Sequence, residues 1–157
     1  EWGKLEIAKP VPGVLEFLSY ANKKGVEIFY ISNRYNEQLL ETKNNLQKLG
    51  FPNADKNHIL LRKEVSSKKS RRAMVSNSHK ITMLLGDNLT DFSEVYDNKK
   101  TKERNHLTDS LKNHFGSNFI LLPNPIYGDW ESKGIYEGKS WNTIQEDSIR
   151  RSKIISY

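Results

Sequence analysis

The sequence predicts an α/β fold, a mainly parallel sheet with helices on both faces. Short apolar runs rich in β-branched and aromatic residues, at 26–31 and 81–85, alternate with stretches of helical periodicity. The connections between them are short, and no internal repeat or low-complexity linker interrupts the order. The run at 26–31 ends in Ser32 and the run at 81–85 in Gly86-Asp87. In an open parallel sheet, ligands bind beyond the carboxyl ends of the strands. Ser32 and Asp87 are therefore expected at one edge.

The elements follow in order. After Pro10-Val11-Pro12-Gly13, residues Val14, Leu15, Phe17, Leu18 and Ala21 recur at helical spacing. Lys24-Gly25 ends that helix, glycine being able to take the left-handed cap position. Residues 26–31 read as a buried strand that stops at Ser32-Asn33-Arg34. A helix over 36–49 turns Leu39, Leu40, Leu46 and Leu49 inward and stops at Gly50-Phe51-Pro52. A strand at 58–61, a helix over 68–77 and the strand at 81–85 come next. Helices near 91–96 and 101–115 lead to a last strand, 118–122, and the tail carries a polar helix near 142–152.

Composition bounds the function. At 157 residues, the chain suits one domain, 1–157, with a real core. Aromatic residues at 10% argue against wholesale disorder. Cysteine is absent, which excludes disulfides, thiolate nucleophiles and Cys-based zinc sites. No apolar run approaches the ~18 residues of a membrane span. Glu1-Trp2-Gly3-Lys4 opens directly into globular-looking sequence, without a signal-peptide pattern. The formal charge is +6, and Lys56, Arg62, Lys63, Lys68, Lys69, Arg71 and Arg72 crowd one stretch against Glu64. Such a field attracts phosphate esters or nucleic acid; a solvated basic face is the equal reading.

Asp87 and Asp91 are the sharpest chemical signal. They lie four residues apart after a strand, one helical turn if a helix begins there. Gly86 before them lets the backbone turn off the strand. Paired carboxylates suit a hard, oxygen-liganded cation such as Mg²⁺; the alternative is that Asp91 or Thr90 caps the next helix and Asp87 makes a turn. Ser32 offers a hydroxyl to a phosphate oxygen, with Asn33 adding a donor; a plain strand-to-loop turn is the alternative. Lys68 or Lys69 can neutralise a phosphoryl group, and Arg34, Arg71 and Arg72 are either phosphate forks or surface charge. Tyr127 follows the last strand, where its ring either stacks on a nucleobase or packs in the loop. His58, His79, His106 and His114 show no ligand spacing and receive no role; Trp130 and Trp141 are assigned to packing.

Taken together, these segments resemble one family. Phe29-Tyr30-Ile31-Ser32-Asn33-Arg34 resembles the second motif of the haloacid dehalogenase (HAD) superfamily. Gly86-Asp87-Asn88-Leu89-Thr90-Asp91-Phe92 is similar to its fourth motif in the class C acid phosphatase form. Between them, Ser66-Ser67-Lys68-Lys69-Ser70-Arg71-Arg72 resembles the lysine motif. Val11-Pro12-Gly13, Leu49-Gly50-Phe51-Pro52 and the stretch from Leu122-Pro123-Asn124 to Trp130-Glu131 add to the likeness, which runs from about residue 2 to 131.

The resemblance implies a HAD-like, Rossmannoid domain and an acid phosphatase, 5'-nucleotidase or bacterial lipoprotein phosphatase in kind, extracytoplasmic and often membrane-anchored. It implies that Asp87 ligates Mg²⁺ and that Asp91 supports the metal or its waters. Ser32 would bond the transferring phosphoryl group, assisted by Asn33 and Arg34. Lys68, placed before Ser70-Arg71, would balance charge, with Lys69 one residue away as the alternative. Tyr127 would meet the base of a small phosphate ester such as a nucleoside monophosphate. A homodimer is compatible with the resemblance, and no specific nucleic acid is expected.

One element of the family pattern is missing. The Asp-x-Asp that supplies nucleophile and general acid through an aspartyl-phosphate occurs nowhere in 1–157. The family's central first strand carries that motif, so the domain is expected to be incomplete at its N-terminus, with two strands left without a shared neighbour. A segment of the same protein beyond these residues, a truncated form, or a relative that binds phosphate without cleaving it would each account for this. The leading expectation is a phosphomonoesterase whose residues 1–157 are inactive alone. The alternative is a non-catalytic phosphate- or nucleic-acid-binding basic domain, whose affinity would fall steeply with salt.

Overall fold

Two pairs of parallel strands organise the chain. In the computed structural model, which describes residues 2–124 and 127–154, the chain divides into two compact units, Glu1–Lys80 and Ile81–Tyr157.

In the first unit, a short turn of helix at Trp2–Leu5 precedes α1 (Val14–Lys23), β1 (Tyr30–Tyr35), α2 (Leu39–Lys48), β2 (Ile59–Arg62) and α3 (Lys69–Ser76). β1 and β2 run parallel, with Tyr30 opposite Ile59, Ile31 opposite Leu60 and Ser32 opposite Leu61. The register then slips, so that Tyr35 faces Arg62. β1 thus begins four residues later than the apolar run suggests and continues through Ser32, which lies inside the strand and not beyond it. The reason is the hydrogen-bond supply. The Tyr30 amide donates to the His58 carbonyl at 2.8 Å, whereas the amide of buried Ile28 is satisfied by the Asn53 side chain at 3.1 Å. That same Asn53 oxygen accepts from Asn22 at 3.0 Å, and Asn53 holds a positive φ of 51° to do so, a conformation asparagine tolerates. Gly13, at φ 81°, starts α1.

Ile28, Ala54, Ile59, Leu61 and Val75 form the apolar core of this unit. Of the four leucines expected to turn inward, Leu39, Leu46 and Leu49 are half-buried but Leu40 is exposed, and the buried positions of α2 are Thr42 and Asn45. Asn45 donates to the Ala8 carbonyl at 3.1 Å, so this helix face anchors the N-terminal segment by polar contact.

In the second unit, β3 (Leu84–Gly86) and β4 (Phe119–Leu121) pair in parallel, with Gly86 opposite Leu121. Only the end of the predicted strand at 81–85 joins this ladder. Between the strands, single turns at Leu89–Asp91 and Glu94–Tyr96 replace the predicted helix, and α4 spans Thr101–Ser110. After β4, a π-helical segment at Trp130–Ile135, absent from the sequence reading, leads to α5 (Thr143–Lys153). The core here is aromatic. Phe92 stacks on Phe119 at 5.0 Å and meets Phe115 edge-on, and Tyr96 is fully buried.

Candidate active site

The first unit offers an irregular stretch of β1, residues 32–34, that presents oxygens and amides. Arg34 donates its backbone amide to the Ser32 hydroxyl at 3.2 Å, a Ser-type turn that fixes the hydroxyl's direction. The Arg34 guanidinium, half-buried, reaches Thr42 of α2 at 3.4 Å. Beneath the turn lies Arg71, 6% exposed. It donates to the Ser32 carbonyl, to the Asn33 side-chain oxygen at 2.7 Å, and to the Ser66 and Ser67 carbonyls at 3.0 and 3.2 Å. Lys68 sits at the N-cap of α3, half-buried, and Lys69 at the first helical position is exposed.

The surface-charge reading of Arg71 and Arg72 is therefore corrected, since both are buried. A guanidinium needs several oxygens at once, and only tertiary folding gathers them. Arg62 likewise lies over the Tyr35 ring at 4.1 Å. The basic stretch at 56–72 is thus not one solvated face.

In the second unit, the loop after β3 is folded around Asp91. One oxygen of that carboxylate, Oδ2, accepts the backbone amides of Asp87 and Asn88, each at 3.1 Å. A Cβ on Gly86 would lie 2.5 Å from Asp91 Cβ and from Oδ2. Glycine is needed there for the close approach of Asp91, a different reason from the sharp turn that the sequence suggests. Asp87 is exposed at the strand's end, and its Oδ2 accepts from the Asn124 side chain at 3.0 Å. Asn124 also donates to the Tyr127 carbonyl at 2.7 Å and accepts the Tyr127 amide at 3.3 Å. Trp130 donates its indole N–H to the same carbonyl at 3.1 Å, and the Tyr127 ring is 68% exposed. Behind this loop Arg104, 3% exposed, donates to Asn88 Oδ1 at 3.1 Å. Burial pulls its guanidinium below the ordinary value, with Asp129 acting against that shift.

Asp91 thus performs the capping task and still stands beside Asp87. Among the described residues, no group of three or more His, Asp or Glu side chains is arranged to hold a metal. Two carboxylates nonetheless fit a hard divalent cation that takes its remaining ligands from water and phosphate oxygens. The structure brings Asp87, Asp91 and Tyr127 together in one unit, joined through Asn124. It brings Ser32, Asn33 and the approach to Lys68 together in the other through Arg71. Asn124, Arg71 and Arg104 escaped the sequence reading as structural organisers. Proximity to the motifs was the only signal for them.

A second polar cluster lies at the start of β1 and β2. Glu27 accepts or shares hydrogen bonds with His58 Nε2 at 2.6 Å and His79 Nε2 at 2.9 Å, while Asp55 meets His58 Nδ1 at 2.9 Å. Burial pulls the His58 value down, but its bonds to Asp55 and Glu27 outweigh that and raise it. Glu27 is lowered chiefly by His58, and so is Asp55. No role was expected for either histidine.

Parallel strands, a serine turn within β1 of the first unit and a paired-aspartate loop after β3 of the second are the features of an α/β protein. The chain belongs to the HAD superfamily, subfamily IIIB (acid phosphatase), whose family model matches residues 1–130. Its fold is similar to that of the class C acid phosphatase from Bacillus anthracis: 41% identity, TM-score 0.92, covering 99% of this chain. The tungstate-bound crystal structure of that enzyme aligns equally, with TM-score 0.93. This chain spans 66% of the length of those proteins. Phosphatases of this superfamily generally use a divalent metal ion.

Proposed function

We propose that these residues form the phosphate- and metal-receiving part of a Mg²⁺-dependent phosphomonoesterase acting on small esters such as nucleoside monophosphates. The observation that carries this is the Asp87–Asp91 loop, where the backbone amide of Asp87, just past the end of β3, donates to the Asp91 carboxylate four residues on. In this reading Asp87 holds the metal and Asp91 fixes the loop and the metal's waters. When bound, Mg²⁺ supplies electrostatic stabilisation of charge on the phosphoryl oxygens. Ser32 and Asn33 donate to those oxygens, Arg34 borders them, and Lys68 neutralises their charge. Lys68 is favoured over Lys69 by its half-buried place at the start of α3. Tyr127, largely exposed and fixed through its backbone by Asn124, offers a ring face to a nucleobase. Tungstate, a tetrahedral oxyanion, in the Bacillus anthracis enzyme supports an oxyanion-binding role for the shared fold.

Residues 1–157 contain no Asp-x-Asp, so we infer that they bind but do not hydrolyse alone. An extracytoplasmic, lipid-anchored location rests on resemblance; among the described residues, no helix is long and apolar enough to cross a membrane. Burial of Arg71 and Arg72 weakens the nucleic-acid alternative.

The test is Asp87→Asn in the whole natural protein, assayed with p-nitrophenyl phosphate and a nucleoside monophosphate, with and without Mg²⁺. Activity should fall roughly 10³-fold, as for loss of a group that stabilises transition-state charge. Turnover at the unsubstituted rate would reject the reading.

A further inference from the structure

We propose that Arg71 is a positioning residue for phosphoryl transfer, holding the Ser32 turn and the Lys68 helix start in one fixed register. The inference rests on the phosphatase reading above and extends it to a residue that touches no substrate. Its basis is the set of oxygens around one buried guanidinium. Arg71 donates to the Ser32 carbonyl and the Asn33 side chain on one segment, and to the Ser66 and Ser67 carbonyls on another. The first pair lies on β1, 38 or 39 residues away in sequence, and the second immediately precedes Lys68. One planar fork therefore spans the two segments that carry the candidate hydroxyl and ammonium groups. Ser32 is held at its carbonyl by Arg71 while its hydroxyl accepts the Arg34 amide, which leaves that residue little freedom to rotate. Arg71 also lies in the first turn of the helix that Lys68 caps, so its position and that of the lysine are coupled along the chain. Lysine could not substitute: a single ammonium on a flexible stem cannot face both segments in a fixed plane. Because hydroxyl and ammonium must meet one phosphoryl group, a small shift between the segments would cost turnover.

The experiment is Arg71→Lys in the whole natural protein, with kcat and KM for p-nitrophenyl phosphate, Kd for inorganic phosphate, and Tm. Turnover per folded molecule should fall roughly 10- to 100-fold, and phosphate affinity should weaken several-fold. Combining Arg71→Lys with Ser32→Ala should add little, since the hydroxyl is already misplaced. A purely structural residue would lower Tm while the folded fraction kept its kcat and phosphate affinity, with additive effects of the two substitutions. That result overturns the proposal. If Arg71→Lys does not fold, Arg71→Gln replaces it in the same assays. Failure of both to fold would assign Arg71 to stability alone and would also overturn the proposal. An unsubstituted protein that neither binds phosphate nor hydrolyses the ester removes the phosphatase reading, and this inference with it. That outcome differs from an active protein indifferent to Arg71→Lys, which sinks the inference only.

Discussion

Residues 32–34, within β1 of the first unit, and 86–91, at and beyond the end of β3 in the second, are braced by groups of opposite charge. The first segment is held from below by a cation, Arg71, whose donors take up carbonyl and amide oxygens. The second is folded around an anion, Asp91, whose carboxylate takes up two backbone amides, with Arg104 a layer further back on Asn88. Each choice suits what the loop is proposed to bind. A phosphate-facing turn gains from a positive group beneath it, and a cation-facing loop from a negative one. The difference also separates scaffold from chemistry. In the first unit the bracing residue and the candidate phosphate donor are distinct, so each can be altered alone. In the second, Asp91 is both brace and candidate metal-site residue.

That distinction can be broken most severely at Asp91. Asp91→Ala should remove the metal-site partner and leave the Asp87 and Asn88 amides without their acceptor. Activity of the whole protein is expected to fall about as far as for Asp87→Asn, roughly 10³-fold, with about 1–3 kcal/mol of stability lost as well. Asp87→Asn should leave the melting transition nearly unchanged. Gly86→Ala is the companion test, because its Cβ would collide with the Asp91 side chain at 2.5 Å. It should reproduce the Asp91→Ala phenotype although it removes no functional group. Thermal melts beside rate assays check this; an active, stable Gly86→Ala would show that the loop does not depend on Asp91's position.

A smaller effect is expected one layer back. Arg104→Met withdraws the donor to Asn88 Oδ1 and to the Tyr96 carbonyl but leaves both carboxylates in place. Stability should drop by about 1–3 kcal/mol, with activity per folded molecule reduced less than in Asp91→Ala. Denaturant melts and kcat on the same samples separate the two quantities. A loss of activity equal to that of Asp91→Ala would make Arg104 part of the loop's geometry, in parallel with Arg71.

The sequence foretold the alternation of helices and parallel strands, Lys68 at a helix start and the adjacency of Asp87 to Asp91, because each is local. Four residues and one turn are enough to place a carboxylate beside the strand end. What escaped depends on partners far along the chain. The start of β1 is set by the His58 carbonyl and by Asn53, 25 residues from Ile28, so the apolar run at 26–29 could not show that it lies outside the ladder. Arg71 sits in a run of charges that reads as solvated, and its acceptors arrive from 38 and 39 residues away. Gly86 was rightly singled out for the wrong reason, since a close contact and a sharp turn leave the same letter in the sequence. The histidines show no pattern because Glu27 joins them across 31 and 52 residues.

That histidine cluster sharpens the comparison inside the first unit, at the opposite end of its strands from Arg71. Arginine keeps its charge at any physiological pH, so the brace on residues 32–34 should be insensitive to pH. The groups around His58 titrate. His58 is raised above its ordinary 6.5, so its contribution is complete below that value and is lost as pH rises through the raised one. Glu27 and Asp55 are lowered from 4.5 and 3.8, so theirs is present above those values and lost as pH falls through the lowered ones. The cluster, with His79 and Ser78 on its other side, should therefore stabilise most between about 4.5 and 6.5. Glu27→Gln keeps the shape of the side chain and removes its charge. Its Tm should fall a few degrees below that of the unsubstituted chain within this window, and the gap should close as pH rises through the His58 value. Melts at a series of pH values measure it directly. A gap of constant size would mean that neutral hydrogen bonds and the Phe29 ring, 4.9 Å from His58 and 5.0 Å from His79, hold this end of the strands without help from charge.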